Sequence, residues 1–274
     1  MAVAKTICDT VIAELNAHVE SNTRPDPFTT ARLRREIGKL EKADYMQSRL
    51  CLGILFTLER NAGEAISAFE DMLQYAPEDP DLHRNYAHSL AKLRLANSAN
   101  EHYKAAIEYA PEATETLIDF AETSQKVFRP CEFLSVLKAN GHKANTETLK
   151  ANIDVQRAVR LANLFEEVGI TDTTANQIYL ATEDFFIEHD LMVPSGYFRK
   201  TAMYGSSTLT FYAELSRDPD FIHSLNEQLC DRLVDLDLAH TMRDLTYVFV
   251  AHTPEDTKES IALTCSTDLK HANH

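Results

Sequence analysis

Leu52-Gly53-Ile54-Leu55-Phe56, Ala65-Ile66-Ser67-Ala68-Phe69 and Tyr75-Ala76-Pro77-Glu78 decide how this chain is read. Displaced by 34 residues, Gly53 falls on Ala87, Ala65 on Ala99, Phe69 on Tyr103 and Pro77 on Pro111. Tyr75-Ala76-Pro77-Glu78 returns as Tyr109-Ala110-Pro111-Glu112. An internal period of this length marks a repeated helix–turn–helix unit. Each recurring position has a physical task. Gly53 and Ala87 are small where the two helices of a unit cross, and Ala65 and Ala99 sit on the second helix at that crossing. Phe69 and Tyr103 fill the space between one unit and the next. Pro77 and Pro111 end the second helix, because proline cannot donate to its hydrogen-bond ladder.

The pattern resembles the tetratricopeptide repeat (TPR) family over residues of about 43–127. The first copy carries Leu52-Gly53-x-x-Phe56, Ala65-x-x-x-Phe69 and Pro77; the second carries Tyr86-Ala87-x-x-Leu90, Ala99-x-x-x-Tyr103 and Pro111. Arg49 and His83 stand where the family usually has tryptophan. A third copy opens on Phe120-Ala121, then departs: Phe133 occupies the next alanine position and Pro130 interrupts the connection. Helices are still expected over 114–127 and 131–139, and upstream over 3–20 and 28–42. A stack of such units buries a continuous core only with about three of them, so the flanking pairs are expected to serve as a degenerate repeat or a cap.

The resemblance implies an α-solenoid whose first helices line a concave face. By register that face carries Gln47, Leu50, Ile54 and Thr57, then Asp81, Arg84, His88 and Ala91, then Glu115, Ile118, Glu122 and Gln125. One branch of the family grips a C-terminal carboxylate with lysine and asparagine. Here Leu50 and Ile54 stand at those positions, which argues against recognition of that type. The face is apolar at Leu50, Ile54 and Ile118, acidic at Asp81, Glu115 and Glu122, and basic at Arg84. It suits a protein or peptide partner with apolar anchors and some positive charge. The alternative is that another part of this chain fills it.

Forty-two acidic residues against 27 basic ones give a formal net charge of −15. That sign disfavours nonspecific nucleic-acid binding and anionic membrane surfaces. No stretch approaches the roughly 18 uninterrupted apolar residues of a spanning helix, and the first ten residues lack the apolar run of a signal peptide. The five cysteines are widely spaced and form no CxxC pair, which argues against a zinc ribbon or a redox motif. Cys51 lies among apolar residues at core spacing, as a buried thiol in a reducing compartment would. A cytoplasmic location is the expectation.

Beyond residue 146 the period is lost. Val155, Ala158, Val159, Ala162, Phe165 and Val168 mark one face of a long helix. Gly169 stops it, and Asp172 or Thr173 is placed to cap the next helix, which runs to about Leu191. Tyr197–Tyr204 and Thr208–Leu215 alternate as a hairpin. Asp218-Pro219 opens a helix with Phe221, Ile222, Leu225, Leu229, Leu233 and Val234 inward. Leu245–Ala251 reads as a strand, and Ile261–Cys265 offers another. The expected fold class is therefore mainly α: a TPR-like α-solenoid followed by a small α+β domain. Its divisions are 1–145 for the helical repeats with capping helices, 146–193 for connecting helices and 194–274 for the α+β domain. An exposed strand in the last offers a route to a homodimer.

Catalytic patterns are sparse. None of the eleven histidines lies in HExxH or HxH. Glu188-His189-Asp190 points its side chains in different directions along a helix. Asp235-Leu236-Asp237 places two carboxylates at strand spacing, able to hold a divalent ion or to form a plain acidic turn. Gly205-Ser206-Ser207 lacks the paired acids a nucleotidyltransferase site needs, and GxSxG, GxxxxGK[ST] and GxGxxG do not occur. No catalytic residue, metal or cofactor is expected. The function read from the sequence is a non-catalytic interaction protein, an adaptor, chaperone or regulator. The alternative is an enzyme or small-ligand sensor with its site in the C-terminal domain and the repeats as a docking arm.

Overall fold

The computed structural model describes residues 2–189, 191, 195–203 and 206–251. The protein is mainly helical, with a small three-stranded sheet, and divides into two compact units, Met1–Ile187 and Glu188–His274.

The first unit opens with α1 (Ala2–Glu20), α2 (Pro27–Leu40), α3 (Tyr45–Leu58) and α4 (Ala62–Leu73). It continues with α5 (Pro80–Lys92), α6 (Ala96–Tyr109), α7 (Thr114–Lys126) and α8 (Pro130–Asn140). The helices after residue 146, read from the sequence as a connector, group with the same unit: α9 (Thr146–Ala151), α10 (Ile153–Val168) and α11 (Asp172–Glu188). Local chemistry sets the helix starts. Asp26, Asp44, Asn61 and Asp79 accept hydrogen bonds from first-turn amides, and Pro27 and Pro80 occupy first positions where no amide hydrogen is needed.

The 34-residue period is written in the backbone as well as in the side chains. Arg60, Arg94 and Phe128 all have left-handed φ, at 59°, 71° and 58°. At the same three turns Asn61 N donates to Phe56 O, Leu95 N to Leu90 O and Arg129 N to Ser124 O, at 2.9, 2.9 and 2.8 Å. A left-handed non-glycine residue costs about 1–2 kcal/mol, so the surrounding helix pair must impose this geometry. The third hairpin keeps the turn even though its side-chain pattern departs.

Within a hairpin the helices run antiparallel. Arg49 near the start of α3 pairs with Asp71 near the end of α4, and the ring of His83 early in α5 stacks on Tyr109 at the end of α6. Gly53 is needed for contact: a Cβ there would lie 2.7 Å from Cε2 of Phe69. Phe69 is fully buried and stacks on Tyr86 of α5, with centroids 4.9 Å apart, so one ring joins the first hairpin to the second. The main core runs from Phe69 through Phe120 and Phe133 to Val155 and Ala158 of α10. A smaller core joins α1, α2 and α3 through Leu15, Leu33, Ile37, Cys51 and Leu55.

The next boundary corrects the sequence reading. Gly169, with φ 80°, does end α10. The residue whose side chain caps α11 is Thr171, whose hydroxyl accepts from Thr174 N at 3.2 Å. Asp172 serves a different helix: its carboxylate accepts from Cys131 N at 3.1 Å and Glu132 N at 2.7 Å, the first-turn amides of α8. The residue preceding α8, Arg129, makes no side-chain cap of its own. Asp172→Ala is therefore expected to cost about 1–2 kcal/mol, as loss of a cap does, measured by urea denaturation; an unchanged midpoint would refute the capping role.

In the second unit β1 (Ser195–Met203) pairs antiparallel with β2 (Ser206–Leu215), and β2 pairs parallel with β3 (Leu245–Ala251), in the order β1-β2-β3. Between β2 and β3 lie α12 (Pro219–Asp235), capped by Asp218, and a 3₁₀ turn at Ala239–Arg243. Leu209, Ala213, Leu215, Leu245, Tyr247 and Phe249 are buried at alternate positions, as a sheet covered on one face requires. From α12, Ile222, Leu225, Leu229 and Leu233 are buried. Asn226 clamps β3, donating to Phe249 O and accepting from Phe249 N, both at 2.8 Å. Val234, expected on the inner face of α12, is 63 % exposed, because it sits about 100° around the helix from Leu233. Ile261–Cys265 lies outside the described residues.

Candidate functional site

The first helices of the three hairpins carry the residues picked out by register. Gln47, Leu50 and Ile54 lie on α3, Asp81, Arg84 and His88 on α5, and Glu115, Ile118 and Glu122 on α7. Leu50, Ile54 and Ile118 are half-buried against the main core, and Ile54 also touches the smaller one. Each therefore keeps part of its apolar surface in water. Asp81 and Glu115 are exposed and form no ion pair among the described residues, while Glu122 pairs with Lys126 of its own helix at 2.6 Å.

Three expected positions behave differently or are already occupied. Thr57 is buried, with its hydroxyl donating to Gly53 O at 2.8 Å, so it lies inside the hairpin rather than on a binding face. Gln125 spends its amide on Ala121 O and on Asp154 O of α10, both at 3.0 Å; the chain itself covers this end of the surface. Arg84 is not an available cation. Its Nε donates to Asp119 of α7 at 2.9 Å.

Asp119 is the residue that sequence reasoning missed. It gathers a small network, lying 3.4 Å from Nε2 of His88 as well as on Arg84. Nδ1 of His88 is 2.9 Å from the hydroxyl of Tyr103. With the Nε2 hydrogen facing the carboxylate, Nδ1 can only accept, so Tyr103 donates to it. Burial lowers the His88 imidazole below its ordinary range, with Asp119 opposing, and burial raises the Tyr103 phenol. The signal was a lone arginine on one first helix and an acid 35 residues on, where the neighbouring first helix comes alongside. With Arg84 neutralised by Asp119 and Glu122 paired to Lys126, Asp81 and Glu115 are the uncompensated charges among these positions.

The sites weighed for chemistry do not assemble. Asp235 is the last residue of α12 and Asp237 is left-handed at φ 56°, so they are not spaced along a strand and do not share its face. Glu188 pairs with Arg232 at 3.2 Å, and the His189 ring meets Phe221 edge-on; Asp190 lies outside the described residues. Ser206 and Ser207 belong to β2, paired to Met203 and Ala202. Among the described residues no three metal-ligating side chains converge. Cys51 is buried, and Cys131 and Cys230 are free thiols. Burial, with Asp172 nearby, pushes Cys131 up to about 12, the opposite of what a nucleophile needs.

These features define a mainly helical protein with a small mixed sheet, in which α3, α5 and α7 carry half-buried aliphatic side chains and exposed carboxylates. No family model matches the chain, and no curated protein matches it in sequence. Among the described residues no helix is long and apolar enough to cross a membrane.

Proposed function

We propose that residues of about 43–127 form a TPR-like solenoid whose first-helix face holds a segment of another protein, making this an adaptor, chaperone or regulator rather than an enzyme. One observation carries the reading. Three consecutive hairpins share left-handed turn residues and turn hydrogen bonds at a 34-residue spacing, and their first helices expose apolar and acidic side chains together. Apolar surface left half-covered beside unpaired carboxylates suits an extended or helical segment that combines aliphatic anchors with lysine or arginine. The neutralisation of Arg84 by Asp119 sharpens this preference for a basic partner. Free thiols fit a reducing, cytoplasmic setting, and a homodimer through the second unit is compatible with the reading.

Selection of random peptides displayed on phage against the full chain tests it. The retained peptides should be rich in leucine or isoleucine and in lysine or arginine. Asp81→Lys with Glu115→Lys, both at exposed positions, should weaken them by roughly tenfold while the melting temperature stays put. Peptides that bind this variant as well as the original chain, or a selection that enriches no such sequence, would reject the face as the site.

A further inference from the structure

A cleft of about 620 Å³ opens between the end of α8, α9 and α10. Its size falls in the range of small-molecule sites. The floor is apolar. Leu149 and Val155 are buried members of the main core, and Leu137 and Val159 pack half-buried against it. The rim is polar, and its charge is of one sign. Lys150 and Arg160 are the charged lining residues, while Gln156 and Asn163 are the neighbouring amides. Among the described residues no acidic side chain lines the cleft, in a chain whose net charge is −15.

Neither cation is strongly committed elsewhere. Arg160 forms no ion pair among the described residues, and Lys150 reaches only Glu147, at 3.3 Å, with both side chains mostly in water, a contact worth little. Gln156, Val159, Arg160 and Asn163 follow helical spacing along α10. One strip of the helix thus carries an apolar contact with a guanidinium immediately beside it. The neighbouring Arg157, by contrast, lies outside the cleft and faces Asp154 at 3.7 Å.

We propose that this cleft binds a small amphipathic anion, an apolar body with a carboxylate head. The body lies on Leu137, Leu149, Val155 and Val159, and the head meets Arg160, whose planar fork matches a carboxylate, with Lys150 adding charge. This site is separate from the face on α3, α5 and α7.

The test uses the full chain and the fluorescent probe 8-anilinonaphthalene-1-sulfonate, an apolar ring system with an anionic head. Probe emission should rise on binding, and decanoate should displace the probe while decanol does not. Arg160→Glu should weaken probe binding by about tenfold or more, and Arg157→Glu by less than about twofold, with melting temperatures of both variants near that of the original. Arg160→Gln should fall between. Absence of probe binding, equal binding by Arg160→Glu, or displacement by decanol as readily as by decanoate would each overturn the proposal.

Discussion

Phe69→Ala is expected to destabilise the helical unit by about 3–5 kcal/mol, the cost of deleting a fully buried aromatic ring. The ring touches the Gly53 position of α3 on one side and stacks on Tyr86 of α5 on the other, with the planes 6° apart. Truncation therefore opens a void at the joint between two hairpins, where three helices would have to move together to close it. Urea denaturation followed by circular dichroism measures the loss; a change below about 1 kcal/mol would mean the ring is not the joint. The other side of the same contact gives an independent check. Gly53→Ala forces a methyl to 2.7 Å from the ring, an overpacking expected to cost about 1–3 kcal/mol. Combining it with Phe69→Leu should restore part of that loss, because residues in contact do not add independently.

That pair also shows why the fold was partly legible in the sequence. A close helix crossing admits only a small residue, and the space beyond it admits a ring, so Gly53, Ala65 and Phe69 leave a readable spacing. The turns leave none. Arg60, Arg94 and Phe128 all adopt left-handed backbone without being glycine, held there by bonds that any residue type can make. The third hairpin hid itself for a related reason: Phe133 replaces a small residue, yet its ring is fully buried and meets Phe120 at 5.8 Å, so the packing rearranges around a larger group while the turn persists. Asp172 caps a helix forty residues away, and no local spacing encodes that. The candidate site divides in the same way. The half-burial of Leu50, Ile54 and Ile118 is what register conveys, since half-burial is a property of a helix face. The Arg84–Asp119 pair joins α5 to α7, and a bond between residues 35 positions apart on different helices leaves no local spacing to read. Thr57 was misplaced because a threonine hydroxyl satisfied by a carbonyl one turn earlier can be buried at little cost.

Acidification from pH 7 to about 4 should remove a specific increment of stability that His102 supplies. Nε2 of His83 lies 2.9 Å from Pro77 O, which can only accept, so in the neutral ring the hydrogen is on Nε2 and Nδ1 keeps a lone pair. His102 Nδ1, 3.0 Å from that lone pair, must then be the donor. The ring of His102 lies 4.2 Å from that of Tyr86. Burial, reinforced by His83 and opposed by Glu101, pushes its imidazole from the ordinary 6.5 down to about 4. The unfolded chain therefore takes up a proton near 6.5 that the folded chain refuses until about 4, and folding weakens across that window as pH falls. The gap corresponds to about 3 kcal/mol at full effect, and the partial exposure of the ring trims this to about 1–2 kcal/mol. Urea denaturation of the original chain and of His102→Phe at pH 7, 5.5 and 4.5 isolates the increment, because the carboxylates titrate alike in both. The difference between the two chains should shift steadily in favour of the variant as pH falls. If it stays constant from pH 7 to 4.5, His102 is not the group whose protonation the folded hairpin resists.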